Sequence, residues 1–188
     1  MPRYVRQRDE FRCGPVAILN ALKWAGCQVT AELIPDLCKE ASCTTPLGTA
    51  ESDLTRGLRK RGKGIFFTQT DRRPTLQKIE RNLRKGKAVI LGYWYHTDDP
   101  EQKNYEGGHY ALITGVSPSG LTFYVKNYID IDDNQRTKIS RGRLRNDLRV
   151  LKVAIERWHP CAWYLRKRQL KARQGWRVFY LAVYSPRT

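Results

Sequence analysis

Acidic side chains are scarce in this sequence: 18 Asp and Glu stand against 35 Lys and Arg in 188 residues, a formal net charge of +17. Such an imbalance draws a protein to polyanions, whether nucleic acid, an acidic protein or anionic lipid headgroups. No zinc-finger, RRM or helix-turn-helix pattern accompanies the charge, so it implies non-specific phosphate contact and nothing more selective. Histidine is rarer still, with three residues, His96, His109 and His159. The five cysteines (Cys13, Cys27, Cys38, Cys43, Cys161) are an odd number with no CxxC pair and no tight Cys/His cluster. That argues against a disulfide framework and against a metal site, and it fits a reducing, cytoplasmic setting with a free thiol. No apolar run approaches the roughly 20 residues of a membrane-spanning helix. The basic start, Met1-Pro2-Arg3-Tyr4-Val5-Arg6, leads into no apolar signal region. Low-complexity tracts and internal repeats are absent as well.

What is present is a globular composition, 40% hydrophobic and 28% charged, long enough for one domain over residues 1–188 with its own core. The most informative stretch is Arg12-Cys13-Gly14-Pro15-Val16-Ala17-Ile18-Leu19-Asn20-Ala21-Leu22. From Gly14 to Ala25 the only strongly polar side chains are Asn20 and Lys23, which share one helical face. A helix apolar nearly all round is a buried one. Pro15 fits its first turn, where the missing N–H would have had no partner. Cys13 therefore stands at the mouth of a buried helix, beside the positive end of its dipole, a position that lowers a thiol's pKa.

Gly26 ends that helix. Thr30 caps a second, with Leu33, Ile34, Leu37, Cys38 and Ala41 on one stripe and Pro35 delaying or bending it. Thr49 is placed to cap a third, ahead of Glu51 and Asp53, with Leu54 and Leu58 inward and Gly62 at its end. Ile65–Phe67 reads as a short strand. Pro74 opens a fourth helix with Leu76, Ile79 and Leu83 on its apolar face, closed by Gly86. Strands follow at Ala88–Tyr95, Tyr110–Val116 and Leu121–Val125, the last two joined by the turn Ser117-Pro118-Ser119-Gly120. Thr97–Gly107 between them reads as a polar surface loop, and residues 128–147 are polar. Leu148–Leu170 reads as partly helical, broken at His159-Pro160. Arg177–Tyr184 reads as a closing strand interior to the sheet. Arg166, Lys167, Arg168, Lys171 and Arg173 make the densest positive cluster of a basic part spanning 141–177. Helices first and an antiparallel sheet after them define an α+β fold.

A cysteine nucleophile requires a base, and His109 is the best placed. Gly107-Gly108 strip side chains from the approach to its imidazole. His96, beside Asp98 and Asp99, and His159 lack that approach. Trp94, Tyr95 and Tyr105 suit core or rim, the last two a cleft. If the two strands pair through the 118–120 turn, Asn127 arrives beside His109 and its amide carbonyl can orient the ring; Asp130 is the carboxylate alternative. The Cys13 backbone N–H and the Gln7 side-chain amide are the candidate oxyanion donors. Each residue alone has a structural explanation. The order Gln, Cys, His, Asn, with the cysteine at a helix mouth and Gly-Gly before the histidine, is what points to acyl chemistry.

These residues resemble the papain-like cysteine peptidases, and among them the branch related to bacteriocin leader (double-glycine) peptidases. The resembling features are Gln7 six residues before Cys13, Cys13-Gly14-Pro15, and Gly48-Thr49 opening a helix. They continue with Leu83-Arg84-Lys85-Gly86-Lys87-Ala88-Val89-Ile90, Gly108-His109-Tyr110-Ala111-Leu112-Ile113-Thr114-Gly115-Val116, and a polar residue ending the next strand. The likeness runs from about residue 7 to 127. It implies a helical part packed on an antiparallel sheet, with Cys13 as nucleophile, His109 as base, Asn127 as orienting residue and Gln7 in the oxyanion hole. The plant-papain signature, a second cysteine and an aromatic beside the nucleophile, is absent. Where the leader-peptidase branch usually has Asp then Pro, this chain has Asn127-Tyr128; Asn serves in papain itself. No transporter segment follows, so a fused export peptidase is not expected. The expectation is thus a cysteine peptidase acting on a protein or peptide substrate, without cofactor or metal. Its rivals are a papain-like acyltransferase and a basic nucleic-acid-binding or virion structural protein, carried in a virus or phage particle on a retained peptidase fold.

Overall fold

The structure, a computed structural model, describes residues 4–9, 11–44, 48–96, 106–129, 135–148, 151–153, 156–158 and 160–168. In chain order the elements are α1 (Cys13–Ala25), a 3-10 turn (Ala31–Leu33), α2 (Ile34–Glu40), α3 (Glu51–Arg61), β1 (Phe66–Asp71), α4 (Leu76–Arg84), β2 (Ala88–His96) and β3 (Glu106–Val116). They continue with β4 (Thr122–Ile129), β5 (Gln135–Ser140), α5 (Arg141–Asp147), β6 (Leu151–Val153), β7 (Glu156–Trp158) and β8 (Cys161–Lys167). Six strands form one antiparallel sheet in the order β1-β8-β2-β3-β4-β5, while β6 and β7 pair separately.

The sheet is buried on both faces, which is why its central strands read as continuous apolar runs rather than alternating ones. On one face Ile90, Tyr110, Leu112, Trp163 and Leu165 pack against α1, whose residues Cys13 to Leu22 are all buried. On the other, Val89, Leu91, Ala111, Ile113 and Tyr164 meet Leu76, Ile79 and Leu83 of α4 and Leu144 of α5. The α+β expectation, with helices packed on an antiparallel sheet, holds. Gly26 stops α1 as expected: its φ of +102° is left-handed, and its N–H closes onto the carbonyls of Leu22 and Lys23. Pro35 sits in the first turn of α2, so the second helical segment breaks into a 3-10 turn and a separate helix.

Several expectations give way. Leu148–Leu170 is not helical where it is described: it forms β6, β7 and β8. Cys161 to Leu165 are buried without a break, with Cys161, Trp163 and Leu165 in one core and Ala162 and Tyr164 in the other. That alternation of period two is a strand's, and burial on both faces hides it in the sequence. β8 takes the interior position between β1 and β2; Arg177–Tyr184 lies outside the described residues. The polar stretch 128–147 contains β5 and α5, the latter capped by Ser140, which accepts from the Arg143 N–H at 3.1 Å. β1 runs four residues past Phe67, because it pairs along the length of β8. α4 opens at Leu76 rather than Pro74, behind Thr75, whose side chain caps it. Thr49 does not cap α3: Ala50 holds that position, and Thr49 packs instead against the first turn of α1. A Cβ on Gly14 would stand 2.6 Å from Thr49 Cβ, so only glycine permits this approach beside the cysteine.

Candidate active site

Three segments converge where α1 begins. The lead-in segment is tied to α1 by the buried Asn20, whose Oδ1 accepts from the Val5 N–H at 2.8 Å and whose Nδ2 donates to the Val5 carbonyl at 2.9 Å. Asn20 is thus a structural clamp in an otherwise apolar helix, its amide satisfying both backbone groups of one residue. Two residues on, Gln7 meets Asn127 of β4: the Gln7 N–H donates to Asn127 Oδ1 at 2.9 Å, and Asn127 Nδ2 donates to Gln7 Oε1 at 3.3 Å. Gln7 Nε2 donates to the Asp9 carbonyl. Asp9 Oδ1 accepts from the Phe11 and Arg12 N–H groups at 3.3 and 3.0 Å, turning the chain into α1 at Cys13.

The sheet carries the candidate base, His109, whose ring meets Tyr93 of the core on the α4 side, whereas Cys13 lies in the core on the α1 side. Gly107 and Gly108 lie within β3, paired with Tyr95 and Trp94, so the strand opens three residues before His109 rather than at it. The turn Ser117–Gly120 forms as expected and brings Asn127 to His109. The contact, however, is made by the main chain. His109 Nε2 lies 2.6 Å from the Asn127 backbone carbonyl, while the Asn127 side chain is engaged by Gln7. The reason is local: Asn127 has a φ of +55°, a left-handed conformation that asparagine tolerates, beside a register shift in the β4–β5 ladder. A carbonyl only accepts, so Nε2 carries the proton of the neutral ring and Nδ1 is left with its lone pair. The main chain of Asn127 thus fixes the tautomer of the neutral ring.

Tyr93 and Tyr128 were not singled out by the sequence. Tyr93 meets the imidazole edge to face (centroids 5.5 Å apart), and Tyr128 stacks on Tyr93 at 4.9 Å. The Tyr128 hydroxyl bonds Asp147 and accepts from Arg143 Nε at 2.9 Å. Alternation opposite His109 in β2 was the available signal for Tyr93. Trp94 is half-buried, and Tyr105, His159 and Asp130 lie outside the described residues.

Cys13 is 3% exposed and lies in one core cluster with Tyr110, the residue next after His109. The Tyr110 hydroxyl donates to the Thr49 carbonyl at 3.1 Å, closing the same corner. The expectation of a depressed thiol pKa is overturned: burial pushes Cys13 up to about 11, outweighing the amides of Tyr110, Gly14 and Cys13 itself. Burial likewise pushes the His109 imidazole down to about 4, against the pull of the Asn127 carbonyl. Both groups rest neutral. Among the described residues no three His, Cys, Asp or Glu side chains gather in a way that could hold a metal ion, and no helix is long and apolar enough to cross a membrane. Of the basic cluster, Arg166 and Lys167 end β8 and Arg168 follows it, at the end of the strand away from this corner, and Lys171 and Arg173 lie outside the described residues.

Helices packed on a six-stranded antiparallel sheet, with a cysteine at the mouth of the packed helix, form the architecture of a papain-like peptidase domain. The solved structures it is similar to include the peptidase domain of Streptococcus ComA, a bi-functional ABC transporter involved in a quorum-sensing pathway. That match has a TM-score of 0.59 at 15% identity and covers 88% of this chain and 98% of that one. A double glycine motif protease from an AMS/PCAT transporter, solved in complex with the leader peptide, matches with a TM-score of 0.51 at 14% identity, covering 87% of this chain and 90% of that one. At such identities the likeness is one of fold. By sequence, no family model and no curated protein matches.

Proposed function

We propose that this chain, as one domain over residues 1–188, is a cysteine peptidase with Cys13 as nucleophile and His109 as general base. The observation that carries the reading is that Asn127, whose carbonyl lies 2.6 Å from His109 Nε2, is tied through its side chain to Gln7 in the segment leading into Cys13. In this mechanism the Cys13 proton passes to His109 Nδ1 as the sulfur attacks the substrate's amide carbonyl. The imidazolium then returns that proton to the leaving amine, and the acyl group remains on sulfur. Water, giving a proton to Nδ1, attacks the thioester; the carbon–sulfur bond breaks, the sulfur takes the proton back from Nδ1, and the acid is released. The Cys13 backbone N–H serves the oxyanion. Gln7 joins it once its amide leaves the Asp9 carbonyl.

Because thiol and imidazole rest neutral, proton transfer accompanies substrate binding instead of preceding it. Peptide incubation with product analysis by mass spectrometry tests the reading, using double-glycine leader peptides among the probes, with and without an added amine. Hydrolysed fragments that vanish with Cys13→Ala support a peptidase. Amine-capped acyl products in place of acids would make the enzyme an acyltransferase, and the absence of either product from every peptide would overturn the proposal.

A further inference from the structure

The other end of α1 carries a different surface. Trp24 lies in its last turn, about 17 Å from Cys13 along the axis at 1.5 Å per residue, and Lys167 sits 4.9 Å from the Trp24 ring centroid. Across the sheet edge, Arg166 and Arg168 lie 4.9 and 4.1 Å from the ring centroid of Phe67, which is 45% exposed on edge strand β1. Lys85 and Lys87 lie in the turn between α4 and β2, where Lys87 Nζ donates to Asn82 Oδ1 at 2.7 Å, and the pairing of Ala88 with Leu165 sets that turn beside Arg166. Among the described residues none of these five cations has a carboxylate partner, whereas Lys60, Arg61, Lys78, Arg84, Arg141 and Arg143 are each ion-paired. The charge here is uncompensated, and its cations alternate with aromatic rings.

We infer that this end of the molecule, built from Phe67, Trp24, Lys85, Lys87 and Arg166–Arg168, is a binding surface for single-stranded nucleic acid. Phosphates neutralise the unpaired cations and release counterions. Unpaired bases stack on the half-exposed Phe67 ring and on the guanidinium planes beside it, an arrangement indifferent to sequence. A duplex keeps its bases from such a platform, and an acidic peptide or anionic membrane has no flat rings to offer it. The surface lies opposite the Cys13 corner, so the inference stands or falls independently of the peptidase proposal.

Fluorescence anisotropy of the full chain with labelled oligothymidylate, at several salt concentrations, tests it. The expected result is binding that weakens linearly on log–log axes with salt. The double variant Arg166→Glu/Arg168→Glu should bind at least about tenfold more weakly. Phe67→Leu, which keeps apolar bulk and loses the ring, should weaken single-strand binding about fivefold or more and duplex binding less. Circular dichroism confirms that the variants fold. Binding undiminished in the double variant would overturn the inference and move the contact to another basic segment. So would equal competition by polyglutamate or by vesicles of anionic lipid, or no binding at all.

Discussion

Where α1 begins, polar side chains are buried and satisfied by one another; where it ends, charged side chains are exposed and rest on rings. Gln7, Asn20, His109 and Asn127 are all at most 8% exposed and carry no net charge. Arg166, Lys167 and Arg168 are exposed and positive. The chain's net charge therefore says nothing about the electrostatics of its candidate active corner, which is set by burial and by neutral hydrogen bonds. In the two proposals one end does the chemistry of a thiol and an imidazole, and the other meets a polyanion.

The sharpest separation of the two ends is Cys13→Ala, expected to lower peptide turnover by at least ~1,000-fold. The same change leaves oligonucleotide affinity untouched, which anisotropy would check. Next is acidity. An unfolded imidazole takes its proton below about 6.5, whereas buried His109 waits until about 4, so between those values the unfolded state binds more protons and stability falls as pH drops. The loss is on the order of 3 kcal/mol, complete below the lower value. Urea midpoints from pH 7 to pH 4 should show it, with a shallower slope in His109→Asn. Asn20→Leu removes both partners of Val5 and should cost about 2 kcal/mol. It should also loosen Gln7 against Asn127 and so lower turnover, with oligonucleotide binding intact. Smallest is the converse: Arg166→Glu/Arg168→Glu should leave the urea midpoint within ~0.5 kcal/mol and peptide turnover unchanged.

How much was legible follows from the same contrast. The buried helix at Cys13, the Gly26 stop, the four-residue turn and the meeting of Asn127 with His109 were readable because local chemistry dictates each. β8 was misread because burial on both faces erases the alternation that marks a strand. The use of Asn127's main chain could not be read from residue types, since it depends on a left-handed φ beside a register shift. The thiol's raised pKa was missed for a related reason. A helix mouth lowers a pKa only while water reaches the sulfur, and the packing of Tyr110 and Thr49 around it appears only in three dimensions.

The central claim is that Cys13 is the nucleophile and His109 its base. Treatment with a peptidyl thiol-directed electrophile, followed by mass-spectrometric mapping and a measured modification rate, tests it most directly. The account predicts one adduct, on Cys13, absent in Cys13→Ala and formed far more slowly in His109→Ala. Modification of Cys27 or Cys161 while Cys13 stays free, or a Cys13 rate indifferent to His109, would contradict it.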